Sequence, residues 1–322
     1  FSAAKGVNRV ALTAWGVSAA DLDGDNDVDV ISASTSDNKI AWYENDVSGL
    51  RTEHIITTSA FGVRDVFTID FDGDNDIDVL SASSSDDRIA WYENDGGGNF
   101  TTHTISTSAD GAWDVFAIDV DGDNDIDVLS ASSNDDKIAW YRNDGNGIFS
   151  EQVISTSADA AYHVFAIDFD GDNDIDVLSA SAADDTIAWS RNDGNQGFTE
   201  QVISTAVDGA SSVFAVDVNA DGHLDVLATG QNSGRVSWFQ NDGALGFSEQ
   251  AIYTAAYGAA EVMAVDVDGD GDPDAVSASR YRGTTWYEND GSGSFTVRTI
   301  NGSSGYAQSV YAADVNGDGQ LD

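Results

Sequence analysis

The sequence predicts an all-β protein, a seven-bladed β-propeller with four-stranded blades, and three observations carry that prediction. First, an aspartate-rich motif occurs seven times: DLDGDNDVD from Asp21, DFDGDNDID from Asp70, DVDGDNDID from Asp119, DFDGDNDID from Asp168, DVNADGHLD from Asp217, DVDGDGDPD from Asp266 and DVNGDGQLD from Asp314. The steps are 49 residues five times and then 48. A fixed period of this size marks one supersecondary unit that buries its apolar face only against its neighbours. Second, each unit reads as four short strands and no helix. Third, copies 2 and 3 differ at only five of 31 positions between Asp65–Asp95 and Asp114–Asp144, namely Thr68/Ala117, Phe71/Val120, Ser85/Asn134, Arg88/Lys137 and Glu93/Arg142. Near-identical units imply near-identical surroundings, which a ring provides and an end-capped stack does not.

Within the third unit the elements follow in order. VFAID from Val115 is a continuously apolar run ending on the first motif aspartate, as expected of an innermost strand buried on both faces. VLSAS (Val128 to Ser132), IAWY (Ile138 to Tyr141) and FSEQVIST (Phe149 to Thr156) follow as the second, third and outer strands, separated by Gly, Asn, Asp and Ser. Asn143, Asp144 and Gly145 accept positive φ and read as a hairpin turn. Radially repeated four-stranded sheets make a propeller, whereas the rungs of a β-helix are much shorter than this period. The whole chain, 1–322, reads as one propeller domain and as a mature form or fragment, since it opens on Phe1. Seven full periods need 7 × 49 = 343 residues, about 21 more than the 322 present. The seventh blade is therefore expected to be incomplete, with its inner strand from Tyr311 to Asp314 and its outer strand from the N-terminus.

The motif itself has the chemistry of a cation loop. Side-chain oxygens fall at positions 1, 3, 5 and 9, and a backbone carbonyl at position 7 completes a shell of hard oxygen ligands suited to Ca2+. The candidate metal residues are Asp21, Asp23, Asp25, Asp27 and Asp29 in copy 1, then Asp70, Asp72, Asp74, Asp76 and Asp78 in copy 2. Copies 3 and 4 supply Asp119, Asp121, Asp123, Asp125 and Asp127, and Asp168, Asp170, Asp172, Asp174 and Asp176. Copies 5 to 7 supply Asp217, Asn219, Asp221, His223 and Asp225, then Asp266, Asp268, Asp270, Asp272 and Asp274, then Asp314, Asn316, Asp318, Gln320 and Asp322. Position 6 must turn sharply and holds Asn26, Asn75, Asn124 and Asn173 in four copies and Gly222, Gly271 and Gly319 in the others. An ordinary surface turn needs one or two aspartates, and five in fixed register would repel one another without a cation. Magnesium prefers a small, water-rich shell and zinc prefers His or Cys. No cysteine and only four histidines are present, each read as an exposed polar residue: His54 and His103 on outer strands, His163 in an inter-blade loop, His223 at loop position 7.

Charge excludes several classes of partner. The formal charge is −44, with only 13 Lys and Arg, so nucleic acid is excluded and anionic membranes are disfavoured. Seven divalent ions would bring this to −44 + 14 = −30, relieving repulsion where it is concentrated. No apolar run of about 18 residues marks a membrane helix.

At these residues the chain resembles the FG-GAP and VCBS repeats over essentially its whole length: D-x-D-G-D-x-x-x-D after an apolar strand, seven times. The resemblance implies the seven-bladed propeller of integrin α-subunit heads and of a fungal propeller lectin. It implies calcium contacts at Asp21, Asp23, Asp25 and Asp29 and at the equivalent positions, about one ion per repeat, and a secreted or cell-surface location. Three departures are visible. Asn219 and Asn316 replace aspartate at position 3, four copies have Asn where the family more often has Gly at position 6, and Asp stands where position 7 is usually neutral.

The resemblance further implies ligand binding on the face opposite the calcium loops, or between blades. The pairs expected in loops there vary: Trp15-Gly16, Arg64-Asp65, Trp113-Asp114, Tyr162-His163, Ser211-Ser212, Ala260-Glu261 and Gln308-Ser309. Trp15, Trp113 and Tyr162 suit either sugar stacking or rim packing. Trp42, Trp91, Trp140, Trp189, Trp238 and Trp286 recur once per blade and read as packing between blades. Asn99 and Asn301 head glycosylation sequons, meaningful in a eukaryotic secretory setting. No singular catalytic constellation stands out. The leading expectation is a non-enzymatic, calcium-dependent binding or adhesion module, lectin-like, for a carbohydrate or an extracellular protein. The alternatives are a self-associating subunit of an extracellular filament or surface layer, and a polysaccharide lyase using Arg64, Tyr162 and His163.

Overall fold

A computed structural model describes residues 13–45, 51–300 and 306–322. Among these residues the chain forms six four-stranded antiparallel sheets. They are β1–β4 (Ala14–Ala20, Asp29–Ser34, Lys39–Asn45, Arg51–Thr57), β5–β8 (Val63–Ile69, Asp78–Ser83, Arg88–Asn94, Phe100–Ser106) and β9–β12 (Ala112–Ile118, Asp127–Ser132, Lys137–Asn143, Phe149–Ser155). The others are β13–β16 (Ala161–Ile167, Asp176–Ser181, Thr186–Asn192, Phe198–Ser204), β17–β20 (Ala210–Val216, Asp225–Gly230, Arg235–Asn241, Phe247–Tyr253) and β21–β24 (Ala259–Val265, Asp274–Ser279, Gly283–Asn289, Phe295–Thr299). In each sheet the strands lie in sequence order, so every connection is a hairpin and every sheet is a propeller blade of the expected kind.

The expected count of seven blades is corrected to six. Residues 306–322 of the seventh copy form no strand. An inner strand is held by its ladder to the second strand, and in the other copies that second strand begins at motif position 9, the position occupied by Asp322. The N-terminal residues expected to close the seventh blade lie outside the described residues, as does the sequon at Asn301.

Burial follows strand position. The second strands are buried, throughout at Asp78–Ser83 and Asp127–Ser132 and at all but Val30 in Asp29–Ser34, whereas the first strands are only partly covered. The reading of the first strand as the one buried on both faces is therefore corrected: it lies at a sheet edge, and the second strand sits between two partners. The fourth strand takes the opposite edge and alternates exposed and covered residues.

Two compact units divide the chain: Phe1–Val153 with Tyr311–Asp322, and Ile154–Val310. In each, the core lies between neighbouring sheets. In the first unit Phe71, Leu80, Ile89 and Trp91 of the second sheet pack with Val115, Val128 and Tyr141 of the third. In the second unit Leu178, Ile187 and Trp189 pack with Val213, Val226 and Phe239. Five of the six third-strand tryptophans are core, Trp42, Trp91, Trp140, Trp189 and Trp238 being at most 7% exposed, whereas Trp286 is only partly buried. A single repeat whose sheet leaves these apolar residues waiting for a neighbour lacks a core of its own, which is the physical content of the repeat.

Candidate metal centre

In the first six copies the motif is the loop between the first and second strands of its sheet, and in all seven its aspartates first of all fold the loop on itself. The position-1 carboxylate gathers main-chain donors: in copy 1, Asp21 accepts from the amides of Gly24 at 2.9 Å, Asp25 at 3.2 Å and Asn26 at 2.9 Å. The position-5 carboxylate accepts from the amide of position 7 at 2.9–3.0 Å in all seven copies. So tight a loop needs two left-handed residues. Position 6 is one, with Asn26, Asn75, Asn124 and Asn173 at φ 71–76° and Gly222, Gly271 and Gly319 at 82–97°. Position 4, which the sequence reading passed over, is the other: Gly24, Gly73, Gly122, Gly171, Gly269 and Gly317 lie at φ 72–79°, and Ala220 is forced to 56°.

Position 9 has a second task. Asp29, Asp78, Asp127, Asp176, Asp225 and Asp274 are at most 1% exposed. In each, one oxygen accepts from the amide of motif position 2 at 3.1–3.2 Å. The other accepts from the amide of the asparagine ending the third strand at 2.7–2.8 Å. Burial pushes Asp29, Asp78, Asp127, Asp176 and Asp225 up to about 6, against the pull of these amides. Asp274 shifts in the same direction for the same reason.

The asparagine side chain then joins neighbouring copies. Asn94 Nδ2 donates to the carbonyl of Leu22 at 2.8 Å, and Asn289 Nδ2 to that of Val218 at 2.8 Å, in each case motif position 2 of the preceding copy. Asn45 Nδ2 makes the same bond, at 2.6 Å, to Val315 of the seventh motif. The seventh motif thus stands to the first sheet as the first motif stands to the second, though it carries no strand.

Five loops bring three carboxylates together with ligand oxygens within 4.8 Å of one another. The groups are Asp21, Asp23 and Asp29; Asp70, Asp72 and Asp74; Asp119, Asp121 and Asp127; Asp168, Asp170 and Asp172; and Asp266, Asp268 and Asp274. Asp23 Oδ1 and Asp121 Oδ1 are buried there without a hydrogen-bond partner. Convergent, all-oxygen donors with orphaned lone pairs fit a hard cation, and these groups are able to hold one. Among the described residues copies 5 and 7 form no such carboxylate triplet, since position 3 is Asn219 or Asn316, whose amide donates to Asp221 at 2.9 Å or to Asp322 at 2.8 Å.

Position-7 side chains are placed elsewhere. Asp76, Asp125, Asp174, His223 and Asp272 lie against Gly96, Gly145, Gly194, Gly243 and Gly291 of the third hairpin, so closely that a Cβ on the glycine would collide with them. The main-chain carbonyl is what position 7 leaves for an ion.

Gln308-Ser309 lies outside any strand, as expected, but the other six variable pairs are not in loops, contrary to expectation. They sit inside the first strands at a β-bulge: Val63 pairs with Ser83 and Asp65 with Ala82, skipping Arg64, and Ala161 pairs with Ser181 and His163 with Ala180, skipping Tyr162. A bulge re-aims a side chain without ending the strand. In the first unit this puts the Arg64 guanidinium 4.2 Å from the Trp15 ring centre and 4.4 Å from that of Trp113, with the two rings edge to face at 5.3 Å. Beneath them Asp65 accepts from the Val115 amide at 3.3 Å, and burial together with the neighbouring Asp114 pushes its carboxyl well above the usual range. In the second unit burial pushes His163 down to about 4.

The FG-GAP-like repeat pattern matches the chain in six overlapping stretches, residues 21–81, 70–130, 119–179, 168–228, 217–277 and 266–322, each spanning two successive loops. The chain belongs to the FG-GAP-like repeat family. Among solved structures it is similar to a streptogramin B lyase, at 14% identity and a TM-score of 0.63 over 91% of this chain and 85% of that one. It is also similar to a catalytically inactive virginiamycin B lyase from Staphylococcus aureus with quinupristin, at 13% identity and a TM-score of 0.61 over 89% and 84%. At these identities the likeness is one of fold. No curated protein matches the chain.

Proposed function

We propose that this chain is a calcium-binding extracellular β-propeller that acts as a non-enzymatic binding or adhesion module, lectin-like in presenting one varied surface to a carbohydrate or an extracellular protein. The observation that carries the reading is the recurrence of convergent carboxylate triplets at the same place in successive blades. Positions 1, 3 and 5 with the position-7 carbonyl and the position-9 carboxylate would hold the ion, which supplies positive charge where the loop concentrates negative charge. Free calcium is plentiful outside cells and scarce in the cytosol, so acidic loops of this kind suit an extracellular setting.

The recognition surface in this reading is the cluster of bulge residues Trp15, Arg64 and Trp113 in the first unit, since the bulge positions vary while the blades around them do not. Arg64 is engaged by two rings, and His163 is a weak base at neutral pH, so neither is poised as a catalytic acid. A glycan array probed with and without chelator tests the module. Calcium-dependent binding to a defined glycan class is expected. Unsaturated products from acidic polysaccharides would instead establish lyase activity and overturn the non-enzymatic reading.

A further inference from the structure

The residue just before the strand-ending asparagine differs in charge from copy to copy: Glu44, Glu93, Arg142, Arg191, Gln240 and Glu288. In copies 3 and 4 the guanidinium reaches into the metal loop. Arg142 Nε lies 2.5 Å from Asp121 Oδ2 and its Nη2 lies 3.1 Å from Asp123 Oδ2. Arg191 repeats this on Asp170 at 2.6 Å and Asp172 at 2.8 Å. In both copies the forked donor therefore bridges positions 3 and 5, two of the oxygens a cation needs. In the other charged copies the carboxylate is held by an outer-strand residue: Glu44 by His54 at 2.8 Å, Glu93 by His103 at 2.6 Å and Glu288 by Arg298 at 2.7 Å.

We infer that Arg142 and Arg191 are tethered cations that occupy loops 3 and 4 in competition with the divalent ion, dividing the loops into a tight class and a weak class. A planar guanidinium matches two carboxylates bidentately and never loses its charge, so it neutralises the loop at any calcium concentration. A divalent ion entering loop 3 or 4 must displace it and meets one positive charge more than in an uncharged copy. In loops 1 and 2 the ion meets one negative charge more, whereas in loop 6 Arg298 offsets Glu288, and affinity in acidic loops follows the ligand charge count. The two Arg copies are adjacent in sequence, so the weak class is a contiguous stretch of the repeat array.

This inference rests on the calcium reading above, and the test separates the two. The double variant Arg142→Glu/Arg191→Glu gives loops 3 and 4 the charge of loop 2, and Glu93→Arg does the reverse. Equilibrium dialysis against calcium should show the double variant with weak-class binding tightened on the order of tenfold or more, and Glu93→Arg with one loop moved from the tight to the weak class. Thermal melts in chelator provide a readout without any metal: the double variant should melt lower than the parent and Glu93→Arg higher. Calcium isotherms unchanged from those of a parent that binds calcium, or chelator melts that do not move in these opposite directions, would overturn the inference. A parent chain that binds no calcium, with the chelator melts still moving as stated, would establish the arginines as tethered cations and instead defeat the calcium-binding proposal.

Discussion

Among single residues, the aspartates of one motif are not equivalent, and substitution separates their duties. Asp78 holds the amides of Phe71 and Asn94 in a dry setting, so Asp78→Ala orphans two buried donors. That costs about 2–5 kcal/mol in urea unfolding, with or without calcium. Asp72 stands at position 3, and its neighbours do not depend on it in this way; Asp72→Ala should leave the chelator-treated protein nearly as stable while weakening calcium binding. Ala220 is held at φ 56°, a conformation glycine adopts without strain. Ala220→Gly should stabilise by about 1 kcal/mol, read from the urea midpoint. The charge of Asp65 gives a pH signature. Its folded pKa is raised by burial first and by Asp114 second, so the native state binds more protons than the unfolded chain, and stability falls as pH rises through the folded value. Asp65→Asn removes that loss. Its urea midpoint should exceed that of the parent by more at about pH 8 than at about pH 5, and an equal offset at both would refute the assignment.

For strands and loops, the sequence was informative where chemistry repeats and silent where a bond crosses copies. VLSAS and IAWY could be read as strands because apolar residues run between Gly, Asn and Asp, and they became β10 and β11 with a residue or two added at the ends. The motif could be read as a cation loop because aspartates alternate. The double role of position 9 could not, since its partners Asn94 or Asn143 lie 16 residues downstream and only the hairpin between brings them near. The bulge was hidden for a related reason. Arg64 and Asp65 look like a polar break before VFTID, yet the strand starts at Val63 because Ser83 opposite supplies its ladder bonds. Tight φ demands left a trace that was missed: glycine at position 4 in six copies is as regular as the aspartates, but beside them it reads as ordinary turn composition.

For the whole molecule, a core built between sheets makes stability collective, and calcium should act on it collectively. An ion bound only by the native loop stabilises by mass action, about 2.7 kcal/mol per site at a hundredfold excess over Kd. Millimolar calcium should therefore raise the melting temperature well above its value in chelator, and coincident curves would remove the ions' structural role. The expected number of blades failed because motif count and blade count differ when a motif carries no sheet, as the seventh does among the described residues. The clasp from Asn94 to Leu22, repeated from Asn289 to Val218 and from Asn45 to Val315, bears on how such a chain is inherited. Donor and acceptor belong to successive copies, so a gene segment one whole period long carries one of each and can be gained or lost at these junctions with the bond restored. The 48-residue copy keeps the pairing as well, since its Asn289 still reaches Val218, so what selection has a physical reason to keep is one donor and one acceptor per copy.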